Sequence, residues 1–369
     1  MTKLSFLIVL ALLIGCQTKK EQKSEADPLA TKIDSVFSAI PNFSGVVLFA
    51  NNGEPIYHKA FGVRSYETNV PIELTDIFEL ASVSKQFTAM TIMMLKQEGK
   101  INYDDPIEKY LPGLPYQGIT IRQLLTHTSG LPDYQAVMDE HWDKSKVAGN
   151  PDIFEYLKKY NPSKKFEPGE KYEYSNTGYV FLASITEAVS GKDFVEFCRE
   201  RIFEPLQMTS TAIRSNDQKN ELSNLAYGHI YSDEKNRFIR ADSFPSSNYT
   251  IWLGGRKGPG RVSSTAMDLL KWDKALYTNQ LVSQKILAEA FTPATLNDGS
   301  KSNYGFGWEI IPESPAGKVV WHNGDNPGYK TIIVRYLDVG KTLIILNNNY
   351  HSQFESAREA VDQIVAKVI

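Results

Sequence analysis

Ser82-Val83-Ser84-Lys85 places a hydroxyl and an amine three residues apart. On a helix, positions i and i+3 are neighbours on one face, so the amine can reach the hydroxyl. A serine hydroxyl is a weak nucleophile until a base takes its proton, and a lysine desolvated on a buried helix can lose enough basicity to serve as that base. The first turn of a helix also aims free backbone N–H groups and the positive dipole end at any oxyanion formed there. Two further strings follow at wide spacing. Tyr174-Ser175-Asn176 sets a phenol beside an amide, which suits proton relay and the holding of a substrate amide. His322-Asn323-Gly324 follows the apolar run Val319-Val320-Trp321, where glycine lets a substrate approach a strand edge able to donate an N–H to an oxyanion. Together the three strings describe nucleophile, proton handler and substrate strand for acyl transfer through serine.

Two of the strings have competitors. Ser232-Asp233-Glu234-Lys235 repeats Ser-x-x-Lys, but in a polar stretch with no apolar helix behind it, which reads as a surface turn. Tyr277-Thr278-Asn279 ends an amphipathic pattern carried by Met267, Leu270, Trp272 and Leu276, where a helix C-terminus explains it without chemistry. Other reaction types find less support. The histidines His58, His127, His141, His229, His322 and His351 are scattered, with no His-Glu-x-x-His and no paired cysteines, so no metal site is expected. Gly258-Pro259-Gly260 lacks the strand-to-helix setting of a nucleotide loop, and no Gly-x-Ser-x-Gly elbow occurs. With 40 basic against 43 acidic residues and no basic cluster, nucleic acid is not an expected partner, and nothing in the sequence calls for a cofactor.

Several elements must position these strings. Gly45 to Ala50 and Pro55 to Phe61 flank Asn51-Asn52-Gly53-Glu54, which predicts a β-hairpin. From Val83 to Leu95 apolar residues occupy nearly every face, the mark of a buried central helix stopped by Gly99. Helical segments separated by Pro and Gly turns follow, among them Ile121 to Leu125, Thr177 to Val189 and Ala266 to Leu276. Strand patterns return at Tyr304 to Ile311, Lys318 to His322, Thr331 to Tyr336 and Lys341 to Leu346, and a last amphipathic helix carries Phe354, Val361, Ile364, Val365 and Val368. Strands at both ends with helices between predict an α+β fold: one antiparallel sheet built from both termini, flanking helices, and an inserted helical lobe.

The N-terminus reads as an export signal. Met1-Thr2-Lys3 precedes the apolar run Leu4 to Ile14, too short to span a membrane, and Leu13-Ile14-Gly15-Cys16 resembles a bacterial lipobox in which the cysteine carries lipid. Several acyl chains on Cys16 suffice for stable anchoring where one is marginal. The expected division of the 369 residues is a lipoprotein signal over 1–15, a polar tether over 16–30 and a catalytic domain over 31–369. Within that domain the α/β lobe is placed at about 31–85 and 300–369, and the helical lobe at about 86–299. The expected location is the bacterial cell envelope, lipid-anchored and outside the cytoplasm. Cys198, in the apolar setting Phe194-Val195-Glu196-Phe197, reads as a buried structural thiol.

In order and spacing the three strings resemble the serine β-lactamase and penicillin-binding-protein superfamily, whose set is S-x-x-K, a Y-x-N or S-D-N element, and K-T-G. The Tyr-x-Asn form is most similar to the branch of class C β-lactamases and D,D-carboxypeptidases, with its esterase and D-aminopeptidase relatives. Flanking text agrees: Leu124-Leu125-Thr126-His127-Thr128-Ser129-Gly130-Leu131, Phe166-Glu167-Pro168-Gly169 and Tyr304-Gly305-Phe306-Gly307-Trp308. The resemblance, which covers about residues 31 to 350, implies that Ser82 is acylated and that Lys85 and Tyr174 share the proton transfers. It further implies that Asn176 holds the acyl amide, and that the backbone N–H groups of Ser82 and Asp325 form the oxyanion hole. His322 and Asn323 stand where the superfamily has the lysine and threonine that recognise a carboxylate. That departure shifts the expected chemistry from β-lactam hydrolysis toward an ester or D-amino-acid peptide, with His322 either binding a carboxylate or tuning Lys85. A catalytically idle lipoprotein that binds wall fragments or β-lactams in the same cleft is the alternative.

Overall fold

A computed structural model describes residues 27–367, so the signal-like segment, Cys16 and most of the tether lie outside the described residues. The expected tether gives way to structure before residue 30. Asp27 caps helix α1 (Pro28–Ser38) by accepting from the Leu29 N–H at 2.8 Å, and Leu29, Ile33 and Phe37 form its buried stripe. The expected hairpin follows as β1 (Gly45–Asn51) and β2 (Glu54–Phe61). Its turn places Asn52 and Gly53 at φ of 50° and 75°, the geometry that favours Asn-Gly. The short strand β3 (Phe78–Glu79) leads through a 3-10 turn, Ala81–Ser84, into α2 (Lys85–Gln97), whose residues from Lys85 to Leu95 are all buried.

Between the two halves of the sheet run α3 (Ile121–Leu125), α4 (Asn176–Ser190), β4 (Ala212–Ile213), β5 (Val262–Ser264) and α5 (Ala266–Ala275). The chain then returns as β6 (Glu309–Ile311), β7 (Val319–Asn326), β8 (Tyr329–Tyr336) and β9 (Lys341–Asn347), and ends in α6 (Phe354–Ala366). The six-stranded sheet has the order β6-β7-β8-β9-β1-β2 with every pair antiparallel. A strand expected from Tyr304 is shorter than its pattern suggests. Tyr304 to Trp308 form a tight turn closed by Gly305 N–H to Trp308 O at 2.8 Å, with Gly307 at φ 78°. A Cβ on Gly307 would lie 3.0 Å from Lys85 O, so this turn packs on the start of α2.

Period-two alternation sorts the sheet into two cores. Val46, Leu48, Val320, Ile333, Ile344 and Leu346 face α2 and the inserted helices. Val47, Phe49, Ile332, Val334, Leu343 and Ile345 face α1 and α6, the two terminal helices. Each such aliphatic side chain contributes about 1.5–3 kcal/mol when taken fully out of water. Beneath the first face Arg335 of β8 donates to Asp273 of α5 at 2.5 Å, and Thr342 of β9 donates to the same carboxylate at 2.8 Å.

Candidate active site

The turn that carries Ser82 is held by strand pairing behind it. Phe78 and Glu79 of β3 pair with Ser264 and Ser263 of β5, Leu80 N–H donates to Val262 O at 2.9 Å, and Val262 N–H donates to Ser84 Oγ at 3.1 Å. Ala81 then turns at φ 47°, a left-handed conformation that strains an L-residue by about 1–3 kcal/mol and presents the next residue to the cleft. The sequence reading placed Ser82 on the first α-turn; the structure places it in the 3-10 turn that precedes α2. With three residues per turn a 3-10 segment eclipses i and i+3. Lys85 Nζ accordingly stands 2.9 Å from Ser82 Oγ.

Lys85 has no exposed surface. Its amine donates to Pro259 O at 2.9 Å and lies 4.8 Å and 5.5 Å from the ring centres of Tyr174 and Tyr179. Among the described residues no carboxylate lies within ion-pair distance of it. Burial, and after it the positive charge of Arg256, hold its pKa well below the ordinary 10.5. A neutral amine that gives one proton to Pro259 O keeps a lone pair for the Ser82 hydroxyl.

Tyr174 lies on the loop before α4. Dense packing pushes its phenol pKa up, although 38% of the residue stays open to the cleft, so it is a proton donor at neutral pH. Asn176 is the first residue of α4, and its side-chain amide makes no hydrogen bond among the described residues while lining one pocket with Ser82. Behind both sits His127, which sequence reasoning did not single out as a site residue. Its Nδ1 accepts from Ser175 N–H at 3.1 Å and its ring lies 4.2 Å from that of Tyr174. It stands at φ 57°, fully buried, with Nε2 unpartnered, and burial, Lys85 and His322 depress its pKa well below 6.5. The visible signal was a lone histidine among small polar residues, Thr126-His127-Thr128-Ser129-Gly130, directly after α3.

His322-Asn323-Gly324 does not end its strand: β7 runs on to Asn326 and turns at Pro327-Gly328 into β8. β6 pairs only with Val319 to Trp321, so the outer edge of β7 is open from His322 onward. Because the two-residue turn closes on the pair Asn326 and Tyr329, alternation aims the Asp325 N–H away from β8, toward this open edge. Gly324 allows the strand to lie against the Ser82 turn, since a Cβ there would fall 2.1 Å from Leu80 O. Thr331 Oγ1 on β8 donates to that same oxygen at 2.8 Å. Ser82 N–H, in the first turn of its 3-10 segment, has no acceptor within that turn, so Ser82 and Asp325 offer two backbone donors.

The geometry leaves two of the predicted contacts without a free side chain. His322 is buried with both nitrogens engaged, Nδ1 with Asn323 O at 2.6 Å and Nε2 with Tyr304 Oη at 2.8 Å. Burial lowers its pKa to about 3, so it is a neutral ring that orients Tyr304 rather than a cation facing a substrate carboxylate. Asn323 alternates to the face of the terminal helices with Trp321, and only its backbone meets the open edge. Asp325 also turns its side chain away, where its carboxylate accepts from Tyr350 at 3.0 Å.

The competitors sit elsewhere. Ser232 ends the first strand of a separate hairpin, paired with Arg237, and accepts from Lys235 N–H, and Tyr277 packs 4.5 Å from the Arg335 guanidinium. Cys198 is buried, and burial pushes its thiol up. Sequence reasoning dismissed Gly258-Pro259-Gly260 as a nucleotide loop without seeing its actual place. Pro259 O receives Lys85, Gly258 O receives Thr88 Oγ1 at 2.7 Å, and a Cβ on Gly258 would lie 2.1 Å from Tyr179 O.

An antiparallel sheet with flanking helices and a serine-lysine pair beneath its open edge define a β-lactamase-like α+β fold of the serine hydrolase superfamily that includes penicillin-binding proteins. Residues 33–367 match the family described as Beta-lactamase, and the chain belongs to it. It is 41% identical over 317 residues to Penicillin-binding protein 4* of Bacillus subtilis (strain 168), covering 85% of this chain and 70% of that one. Among solved structures it is similar to the octameric penicillin-binding protein homologue from Pyrococcus abyssi, with TM-score 0.76, 26% identity, and 92% and 76% of the two chains covered. It is also similar to the D-amino acid amidase from Ochrobactrum anthropi SV3 complexed with L-phenylalanine amide, with TM-score 0.72, 25% identity, and 92% and 97% covered.

Proposed function

We propose that this chain hydrolyses an ester or amide through an acyl-enzyme on Ser82, as a relative of class C β-lactamases whose preferred substrates are small esters and D-amino-acid peptides or amides. The observation that carries this reading is Lys85 Nζ at 2.9 Å from Ser82 Oγ, fully buried and without a carboxylate. Lys85 takes the hydroxyl proton as Ser82 Oγ attacks the scissile carbonyl carbon. The oxyanion is received by the N–H groups of Ser82 and Asp325, and Asn176 holds the substrate amide. The carbonyl-to-leaving-group bond then breaks, and Tyr174 gives its proton to the departing oxygen or nitrogen, recovering one from Lys85. Water attacks the acyl-serine by the reverse relay, so substrate and water yield an acid and an alcohol or amine.

A neutral His322 leaves the substrate strand without the cation that would hold a β-lactam carboxylate, which ranks β-lactams below esters and peptides. The D-amino acid amidase likeness supports the amide side of the reading. Intact mass after exposure to a fluorophosphonate tests it: one adduct, lost in Ser82→Ala, is expected, and no adduct on the parent would sink the assignment. Rates on nitrocefin, p-nitrophenyl esters and D-alanyl peptides then rank the substrates. For Cys16 we propose lipid anchoring in the cell envelope, with the protein fractionating with membranes and Cys16→Ser releasing it.

A further inference from the structure

The pocket beside Ser82 holds three cationic residues, Lys219, Arg256 and Arg261, and two acidic ones, Glu79 and Asp325. Lys219 and Glu79 pair with each other, and the Asp325 carboxylate is engaged by Tyr350. Arg261 donates to Arg214 O at 2.7 Å. Neither Arg261 nor Arg256 has a carboxylate within ion-pair distance among the described residues, and of the two it is Arg256 that keeps a buried nitrogen without a partner. Its Nη1 donates to Tyr134 Oη at 3.0 Å, its guanidinium lies 5.8 Å from the Tyr249 ring, and its Nε is buried without a hydrogen-bond partner. Among the described residues no carboxylate stands within ion-pair distance of it. A buried charged donor left unpaired is expensive, and planar guanidinium forks match carboxylates bidentately.

The loop that carries Arg256 is fixed on both sides. Gly255 N–H donates to Ala148 O at 3.0 Å, Lys257 N–H donates to Asn150 Oδ1 at 2.8 Å, and a Cβ on Gly255 would lie 2.8 Å from Ala148 O. The backbone at Arg256 is therefore fixed, and the bond to Tyr134 Oη orients the guanidinium before any ligand arrives. Its flank of the cleft matters as much. Tyr174, the proton donor to the leaving group, does not line this pocket, whereas Asn176 and Gln135 do. The leaving group departs on the Tyr174 flank, so the pocket of Arg256 receives the acyl part.

We infer that Arg256 is an anion-binding subsite for the acyl part of the substrate, and that this chain selects esters or amides whose acyl group carries a carboxylate a few bonds from the scissile carbonyl. The inference rests on the serine hydrolase reading above and narrows its substrate class. The same pocket disfavours acyl groups with a free ammonium, because its three cationic residues outnumber its two acidic ones.

The test compares p-nitrophenyl hydrogen adipate with its neutral counterpart, the p-nitrophenyl ester of adipamic acid. The parent is expected to favour the acid by about 10–100-fold in kcat/KM, the scale of one or two charged hydrogen bonds. Arg256→Gln collapses that ratio toward unity, and Arg256→Lys keeps part of it. The ratio is the readout because Arg256 also lowers the Lys85 pKa, which alters both esters alike. Equal kcat/KM for the two esters in the parent, or an unchanged ratio in a folded Arg256→Gln, overturns the inference. If neither ester releases nitrophenolate, the hydrolase reading fails, and titration calorimetry with monomethyl adipate judges the subsite by itself. Binding at least about 10-fold tighter to the parent than to Arg256→Gln supports it, and equal binding overturns it.

Discussion

Arg335 and Lys85 are both fully buried basic residues on the α2 and α5 side of the sheet, but among the described residues only Arg335 has a carboxylate within ion-pair distance. Arg335 reaches across from β8 to Asp273 on α5, and Thr342 satisfies the other carboxylate oxygen. Lys85 has a backbone carbonyl, a serine hydroxyl and aromatic rings. Guanidinium groups keep their charge in proteins, while lysine amines shed theirs when desolvated. The paired arginine therefore ties a helix to the sheet, and the unpaired lysine stands beside Ser82 with its charged form disfavoured. What separates the two burials is one carboxylate.

Removing the function of each basic residue should give opposite signatures. Lys85→Met is expected to lower kcat/KM on an activated ester by about 10²–10⁴-fold while its thermal midpoint stays level or rises, since no counterion is stranded. A large loss of stability in that variant would mean that Lys85 is charged and paired after all. Asp273→Ala, in contrast, strands the Arg335 charge and should cost about 3–5 kcal/mol in urea unfolding. The folded fraction of that variant should keep the parent pH profile. A midpoint within error of the parent would erase the distinction between the two sites.

The neutral rings near Lys85 extend the comparison to pH. His322 titrates at about 3 in the fold against 6.5 when free, and His127 is depressed as well. Between these values the unfolded chain binds protons that the folded chain refuses, so stability falls as pH drops below about 6.5. Each ring contributes up to about 1.4 kcal/mol per pH unit. Urea midpoints at pH 6.5 and 5, a range that most carboxylates leave flat, measure it, and the slope should shrink in His322→Asn. No slope in the parent would contradict the burial of neutral imidazoles. The smallest effect is expected for Thr331→Val, which removes the bond to Leu80 O behind the Ser82 turn without touching Arg335 or Lys85. It should cost about 1–2 kcal/mol in urea unfolding and leave the pH dependence of activity as in the parent.

Elements were legible where their geometry is local. The Asn-Gly hairpin, the all-apolar helix after Ser82 and the sheet built from both ends follow from turn preference, burial pattern and strand order. Misreadings occurred where packing overrides pattern. Tyr304 to Trp308 carry a strand-like pattern but turn against the start of α2, and β7 continues past His322 because its pairing with β8 extends to Asn326. His127 and Arg256 were passed over as site residues because nothing in their neighbourhoods along the chain says what they face.

The sequence by itself determined the residue types, their order and the elements that carry them: a serine and lysine three apart at the start of a buried helix, a tyrosine before another, and a glycine in an edge-facing strand. Only the tertiary structure decided their electrostatics. Lys85 meets Pro259 across 174 residues, and Arg335 meets Asp273 across 62. Desolvation and counterions depend on which distant segments close over a side chain, and spacing along the chain carries no record of that.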